Sequence, residues 1–408
     1  MNIRRSAALV AATAVIGMAT APAALADASA PSASPSVAIP SGLYGKTDPT
    51  YDGVWRQSVA LVAQDTVGVK PADKAVDWLT GQQCTNGGFA AFRAEPGKEC
   101  DKKTLVDSNS TAAAVQALVA VGGREGEVTR GVDWLKKAQN GDGGWGYNVG
   151  MDSDANSTAV VIGALVAAGE KPADVKSGRG KTGQDALAAL ALPCSDAKDG
   201  GALAYQPDKK GKLAANADAT AAGVLGALGT GMAPGKGKAP DSYLCKDGRT
   251  AGDLAHNAAV YLQGQLSTRL YLKAVTPGST KSQPDYGNTA DAVTSIAAAE
   301  GVKYTKDPYA WLEKNAGDWA EQSGPAAYAQ LIFAAHATGN DPRDFGGTDL
   351  VKALNATGPA PSSTKAATAD EKKKDDGGGI SVWYVVAVAA VAGIGIGFLF
   401  SGRKKQQL

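Results

Sequence analysis

Two kinds of helix-length segment alternate along the chain. In the first kind almost every position is apolar or small. "DSNSTAAAVQALVAVG" (107–122) and "DANSTAVVIGALVAAG" (154–169) are the best copies. "NADATAAGVLGALGTG" (216–231), "DYGNTADAVTSIAAAEG" (285–301) and "SGPAAYAQLIFAAHATG" (ending at Gly339) are looser ones. In the second kind one apolar face is backed by charge. "DKAVDWLTGQQ" and "VTRGVDWLKKAQ" place Asp77-Trp78-Leu79 and Asp133-Trp134-Leu135 at equivalent positions, and "YAWLEKNA", with Trp311 and Leu312, is a later relative. A helix that is apolar all round packs on several sides, whereas an amphipathic one keeps a wet back. The pattern therefore predicts an all-α repeat of outer helix, loop and inner helix. Five or six such units suffice for a double ring, although periodicity does not say whether the ring closes.

The inner segments share a polar start. Thr111, Thr158 and Thr220, or the Asn and Asp just before them, suit the capping of free helix-start amides. A glycine follows each of these threonines at the same interval (Gly122, Gly169, Gly231), suited to a left-handed helix end. Four residues before the anchor threonine stand Asp107, Asp154, Asn216 and Asp285; two before it stand Asn109, Asn156, Asp218 and then Gly287, where the pattern breaks. In a ring of helix hairpins these starts gather at one end. Two compatible roles follow: each set caps its own helix, or the sets together hydrogen-bond a ligand over the central cavity.

The chain ends change the picture. Residues 1–26, with Arg4 and Arg5 before an apolar run and "APAALA", have the layout of a secretory signal peptide. Residues 27–50 are expected to be flexible, 51–354 to form the repeat domain, and 355–379 to be a solvated linker. "ISVWYVVAVAAVAGIGIGFLF" (380–400) carries no charge and has the length of a membrane span, with the basic tail 401–408 expected in the cytoplasm. The expected topology is a single-pass cell-membrane protein with its body outside. The four cysteines then lie in an oxidising compartment. Of three possible pairings, proximity favours Cys84 with Cys100 and Cys194 with Cys245. A thiolate metal site is disfavoured because no close C-x-x-C pair exists.

Between the helices, "GQQCTNGGFAAF" (81–92) and "QNGDGGWGY" (139–147) repeat a glycine pair. Neither a preceding strand nor a following Lys-Ser/Thr supports a phosphate loop. The series Gln139, Gly143, Trp145, echoed by Gln83, Gly87, Phe89, resembles the Q-x3-G-x-W motif of the terpenoid cyclase and protein prenyltransferase superfamily. That resemblance implies an α/α toroid in which the motif ties one helix end to its neighbour.

The resemblance also says which catalytic sets to seek. The nearest match to the cyclases' D-x-D-D is "DSDA", with Asp152 and Asp154 but no final aspartate. The prenyltransferases' zinc set of Asp, Cys and His has no counterpart: the two histidines, His256 and His336, suit packing or surface roles. G-C-G-E-Q and G-x-S-x-G elements are absent. The D-x-x-x-T-A helix starts resemble the barrel of the cobalamin carriers, transcobalamin and intrinsic factor. With no room expected for their β domain after Leu354, a corrinoid would need a second protein or a shallower hold.

No catalytic residue, metal or cofactor is expected. The expected function is a membrane-anchored extracellular binding module for a hydrophobic or mixed small molecule, corrinoid- or isoprenoid-like, or for a membrane-protein partner such as a transporter. Its candidate ligand residues are Asp107, Asn109, Asp152, Asp154, Asn156, Asn216, Asp218 and Asp285. A secreted cyclase-like enzyme and a structural envelope protein are the alternatives. No nucleic-acid partner is expected, and the formal net charge is +1.

Overall fold

The computed structural model describes residues 38–248, 250–274 and 283–364. The expected signal peptide, membrane span and basic tail lie outside the described residues, as do most of the two flexible segments. Among the described residues no helix is long and apolar enough to cross a membrane.

In chain order the elements are α1 (Gly53–Thr66), β1 (Val69–Lys70), α2 (Asp73–Gly81), β2 (Phe89–Ala90), β3 (Val106–Asp107), α3 (Ser108–Val121), α4 (Glu125–Lys137), α5 (Ala155–Ala167), α6 (Gly183–Ala189) and α7 (Ala217–Leu228). There follow α8 (Ala251–Ser267), β4 (Leu272–Lys273), β5 (Pro284–Asp285), α9 (Tyr286–Glu300), α10 (Lys306–Asn315), α11 (Gly317–Ser323), α12 (Pro325–Thr338), α13 (Leu350–Asn355) and β6 (Ser363–Thr364). The protein is mostly helical, and its strands are two-residue antiparallel pairs: β1 with β6, β2 with β3, β4 with β5.

The ring closes. Helix α1 packs on α3, α3 on α5, α5 on α7, α7 on α9, α9 on α12, and α12 returns to α1. Helices α2, α4, α6, α8, α10 and α13 pack outside this ring, most of them across a pair of inner helices. Small side chains permit the close inner packing. A Cβ on Gly226 of α7 would lie 3.0 Å from the Cα of Ala159 on α5. Every residue from Ala155 to Leu165 of α5 is buried, while α4 buries Gly131, Val132, Trp134 and Leu135. The inner and outer patterns thus have their expected environments.

Helix α1 is the inner helix that the repeat pattern does not reveal. It buries Arg56, Gln57, Ser58 and Gln64, which break its apolar character. The two glutamines have partners remote in sequence: Gln57 donates to Gly42 O at 2.9 Å and Ala75 O at 2.8 Å, and Gln64 to Asn355 Oδ1 at 2.7 Å. Packing also passes the expected 51–354 limits, since Leu43 and Tyr44 are buried and Ser363–Thr364 pairs with Val69–Lys70.

The glycine motif is a mechanical joint. Gln83 Nε2 donates to Gly87 O at 3.0 Å and to Glu127 O at 2.8 Å, joining the end of α2 to the start of α4. Gln139 Nε2 donates to Gly143 O at 2.8 Å and Val175 O at 3.5 Å. Gly143 has φ +92°, and a Cβ there would meet Thr182 O at 2.2 Å, so the position takes glycine for both conformation and space. Trp145 is buried and donates Nε1–H to Leu135 O at 2.7 Å.

The anchor threonines act in this joint and not as caps. Thr111 Oγ1 accepts the Phe89 amide at 2.9 Å, Thr158 that of Trp145 at 3.0 Å, Thr220 that of Leu203 at 2.9 Å, and Thr289 that of Leu272 at 2.9 Å. Each lies a full turn inside its helix, beyond the first amides that a cap serves. Gly122 ends α3 as expected, but α7 ends at left-handed Gly229, two residues before Gly231.

The disulfides are Cys84–Cys100 and Cys194–Cys245. His256 is buried, with Nδ1 2.7 Å from Glu300 Oε1 and Nε2 2.9 Å from Leu244 O, whereas His336 is exposed.

Candidate functional site

The helix starts place the first layer of candidates. Asp107 Oδ1 accepts from Ser110 N at 2.6 Å, Asp154 Oδ1 from Ser157 N at 2.7 Å, Asn216 Oδ1 from Ala219 N at 2.9 Å, and Asp285 Oδ1 from Asn288 N at 3.0 Å. All four are N-caps, with the backbone extended before the helix begins. They satisfy donors that the helix would otherwise leave free.

The residues two positions further on do something else. Asn156 Nδ2 donates to Asp218 Oδ2 at 2.7 Å, joining α5 to α7. Among the described residues no donor reaches the buried Oδ1 atoms of Asn109, Asn156 and Asp218. Buried oxygens of this kind ordinarily carry a partner. Where the pattern breaks at Gly287, one turn deeper, Asp291 takes over: it is buried and accepts from Gln330 Nε2 at 2.9 Å.

Above these helix starts lies a bowl of about 810 Å³. Its floor includes Asp107, Asn109, Asp154 and Asn156. One wall is the segment between β2 and β3, held by the Cys84–Cys100 disulfide and by Arg93, which donates to Gly81 O and Gln83 O at 3.1 Å and to Pro96 O at 3.0 Å. Tyr51, Tyr147 and Tyr205 supply aromatic surface. The outer lining is wet and mixed: Tyr51 is 52% exposed, Leu105 76% and Met151 47%, beside the exposed charges of Lys98, Glu99, Asp101 and Lys103.

Burial dominates the electrostatics. It pushes the Asp107 carboxyl up to about 7, against the opposing bonds from the α3 start. It pushes Asp154 up to about 6, opposed by Ser157 and by a hydrogen bond with Tyr205, whose phenol is itself raised by burial and by Asp154. Asp218 is pushed up to about 6 by burial, helped by the charges of Asp285 and Asp154 and opposed by Asn156. Asp285 is raised by burial, and Asp291 stands well above the carboxylate range through burial and the charges of Asp218 and Asp285. Asp154, Asp218, Asp285 and Asp291 feel one another across the ring, which puts these four at one mouth.

Asp152 does not join them as an acid. Its side chain is exposed on the loop before α5, and its backbone carbonyl accepts from Gln206 Nε2 at 2.9 Å. With Asp154 used as a cap, the incomplete D-x-D-D match is a turn and a helix start. Asp152, Asn216, Asp218 and Asp285 do not line the bowl, which extends over the starts of α1, α3 and α5. No group of three or more His, Cys, Asp or Glu among the described residues is arranged to hold a metal ion.

The aromatic wall and the Asp291–Gln330 pair escaped sequence reasoning. Signals for both existed. Tyr147 and Tyr205 each stand two residues after the joint residue (Trp145, Leu203), and Asp291 is a charge inside an otherwise apolar helix.

Comparison with known proteins adds no sequence family: no family model matches the chain, and no curated protein matches it. Among solved structures, a protein from Actinoplanes is 15% identical, with 74% of this chain and 96% of that chain covered and a TM-score of 0.46. An ent-copalyl diphosphate synthase from Streptomyces platensis is 17% identical, with 70% and 50% covered and a TM-score of 0.44. A sugar epimerase from a ruminal bacterium is 13% identical, with 74% and 93% covered and a TM-score of 0.45. At these TM-scores the likeness carries no argument about fold family or activity.

Proposed function

We propose that the protein is a non-catalytic binding module whose bowl takes a small molecule of mixed polarity. The observation that carries this reading is the contrast between rim and floor. Tyr51, Leu105 and Met151 offer exposed apolar surface, while Asn109 and Asn156 below them bring buried oxygens that lack a donor. An apolar body seats on such a rim, and hydroxyl or amino donors complete the floor. Isoprenoid- and corrinoid-like molecules meet this description. The two disulfides suit an extracellular setting, and we extend the proposal to a body held outside the cell by the apolar run 380–400, where it delivers its ligand to a membrane partner such as a transporter.

Native mass spectrometry of the full chain, incubated with a lipid extract and separately with corrinoids, tests the reading. A retained molecule that is lost in the Asn109→Ala/Asn156→Ala double variant supports it. Absence of any retained mass in the wild-type protein overturns it. A second reading, an isoprenoid cyclase-like enzyme, draws on carboxyls held near neutrality at the bowl, since Asp107 at about 7 and Asp154 at about 6 suit proton transfer. Turnover of a linear isoprenoid that stops in Asp107→Asn would favour the enzyme over the binder.

A further inference from the structure

Beneath the bowl the helix starts hold oxygens and carboxyls in excess of donors, while the cations of the bowl, Arg93, Lys98 and Lys103, belong to its wall between β2 and β3. Asn156 and Asp218 are 5% and 6% exposed, and among the described residues the Oδ1 of each accepts nothing. Asp218 lies one hydrogen bond beneath Asn156, which itself lines the bowl. The groups that face Asp218 electrostatically are Asp154, Asp285, Asp291 and the Tyr205 phenol. None of these is a cation. Among the described residues no Lys, Arg or His acts on Asp154, Asp285 or Asp291 either. A buried carboxylate without a cation is costly, and a neutral hydroxyl relieves only the missing hydrogen bond. A cation relieves the repulsion as well. The carboxyls do not gather three to a point in metal-ligand fashion, so the missing charge fits an organic cation with its own N–H donors. Nearby rings suit such a guest: Tyr51, Tyr147 and Tyr205 line the bowl, and aromatic faces attract ammonium groups.

We infer that the ligand of the bowl carries an ammonium group, which enters past Asn109 and Asn156 and pairs with Asp218. This inference rests on the binding reading above and narrows it from mixed-polarity molecules to amphipathic amines.

Isothermal titration of the full chain with n-octylammonium and with n-octanol at neutral pH separates the two levels. The two probes share an apolar tail and differ in the charge of the head. The expected result is about ten-fold or greater preference for the ammonium, the scale of one hydrogen bond to a charged partner. The preference should collapse in Asp218→Asn. Asp291→Asn, which removes the neighbouring acid, serves if the first variant fails to fold. Equal affinity for the two probes, or an ammonium preference that survives in a folded Asp218→Asn protein, overturns the inference while leaving the bowl as a binding site. Failure of both probes to bind overturns the binding reading with it.

Discussion

Asp107 and Asn109 stand two residues apart at the start of one inner helix and have opposite fates. The Asp107 carboxylate receives the helix amide at Ser110, so its polar need is met inside the protein. The Asn109 Oδ1 is buried without a donor. The same split recurs at Asp154 and Asn156, and in part at Asn216 and Asp218. Recurrence in a repeat thus has two causes. A cap recurs because each helix start has free amides, whereas the position two further on recurs without any local need. The first belongs to stability; the second belongs to the mouth, and at Asn156 it also ties α5 to α7.

The largest expected effect lies in the joint. Trp145→Ala empties a fully buried site and removes the bond to Leu135 O, and should cost about 3–5 kcal/mol in denaturant unfolding. An unchanged unfolding midpoint would remove the joint from the structural account. Gly143→Ala should cost about 2–4 kcal/mol, combining an unfavourable left-handed conformation with a clash against Thr182 O. Gly150→Ala is its control: φ is +84°, but nothing lies within 4 Å of the added Cβ, so only the conformational share of about 1–2 kcal/mol should remain. Equal losses at the two glycines would deny the clash.

Within the first turn the contrast sharpens. Asp107→Ala removes a cap and should cost about 1 kcal/mol; Asn109→Ala removes an oxygen with no partner and should change stability by less than about 0.5 kcal/mol. Thermal melts of the two variants measure the difference directly. Equal losses would merge the two positions into one structural role.

The smallest effect is a pH slope. Asp107, Asp154 and Asp218 sit at about 7, 6 and 6 in the folded protein, above their unfolded values. The folded state therefore retains protons that the unfolded chain releases, and stability contributed by these groups is full below about pH 4 and lost as pH rises to about 7. Asp218→Asn should flatten that slope in unfolding curves taken across this window. An unchanged slope would mean that Asp218 is not held above its unfolded value.

The alternation of inner and outer helices, the joint at Gln83–Phe89 and Gln139–Trp145, and both disulfide pairings were legible in the sequence because each depends on short-range periodicity or spacing. Helix α1 was not, because Arg56, Gln57 and Gln64 are buried by partners such as Thr47, Gly42 and Asn355. Asp152 reads like Asp154 in one dimension, yet a two-residue shift moves it from a buried cap to an exposed loop. The caps were legible as polar starts, but assigning them to Asp107 and not Thr111 required the turn geometry. The bowl wall between β2 and β3 is a long irregular segment, so no periodic signal announced it.

The division between caps and mouth can be tested by measuring retained ligand and melting temperature together in the Asn109→Ala/Asn156→Ala protein. The account predicts loss of the mass retained by the wild-type full chain in native mass spectrometry, with helical content unchanged and a melt that stays cooperative but falls, because Asp218 loses the Asn156 amide. Retention of that same mass by a folded double variant would contradict it.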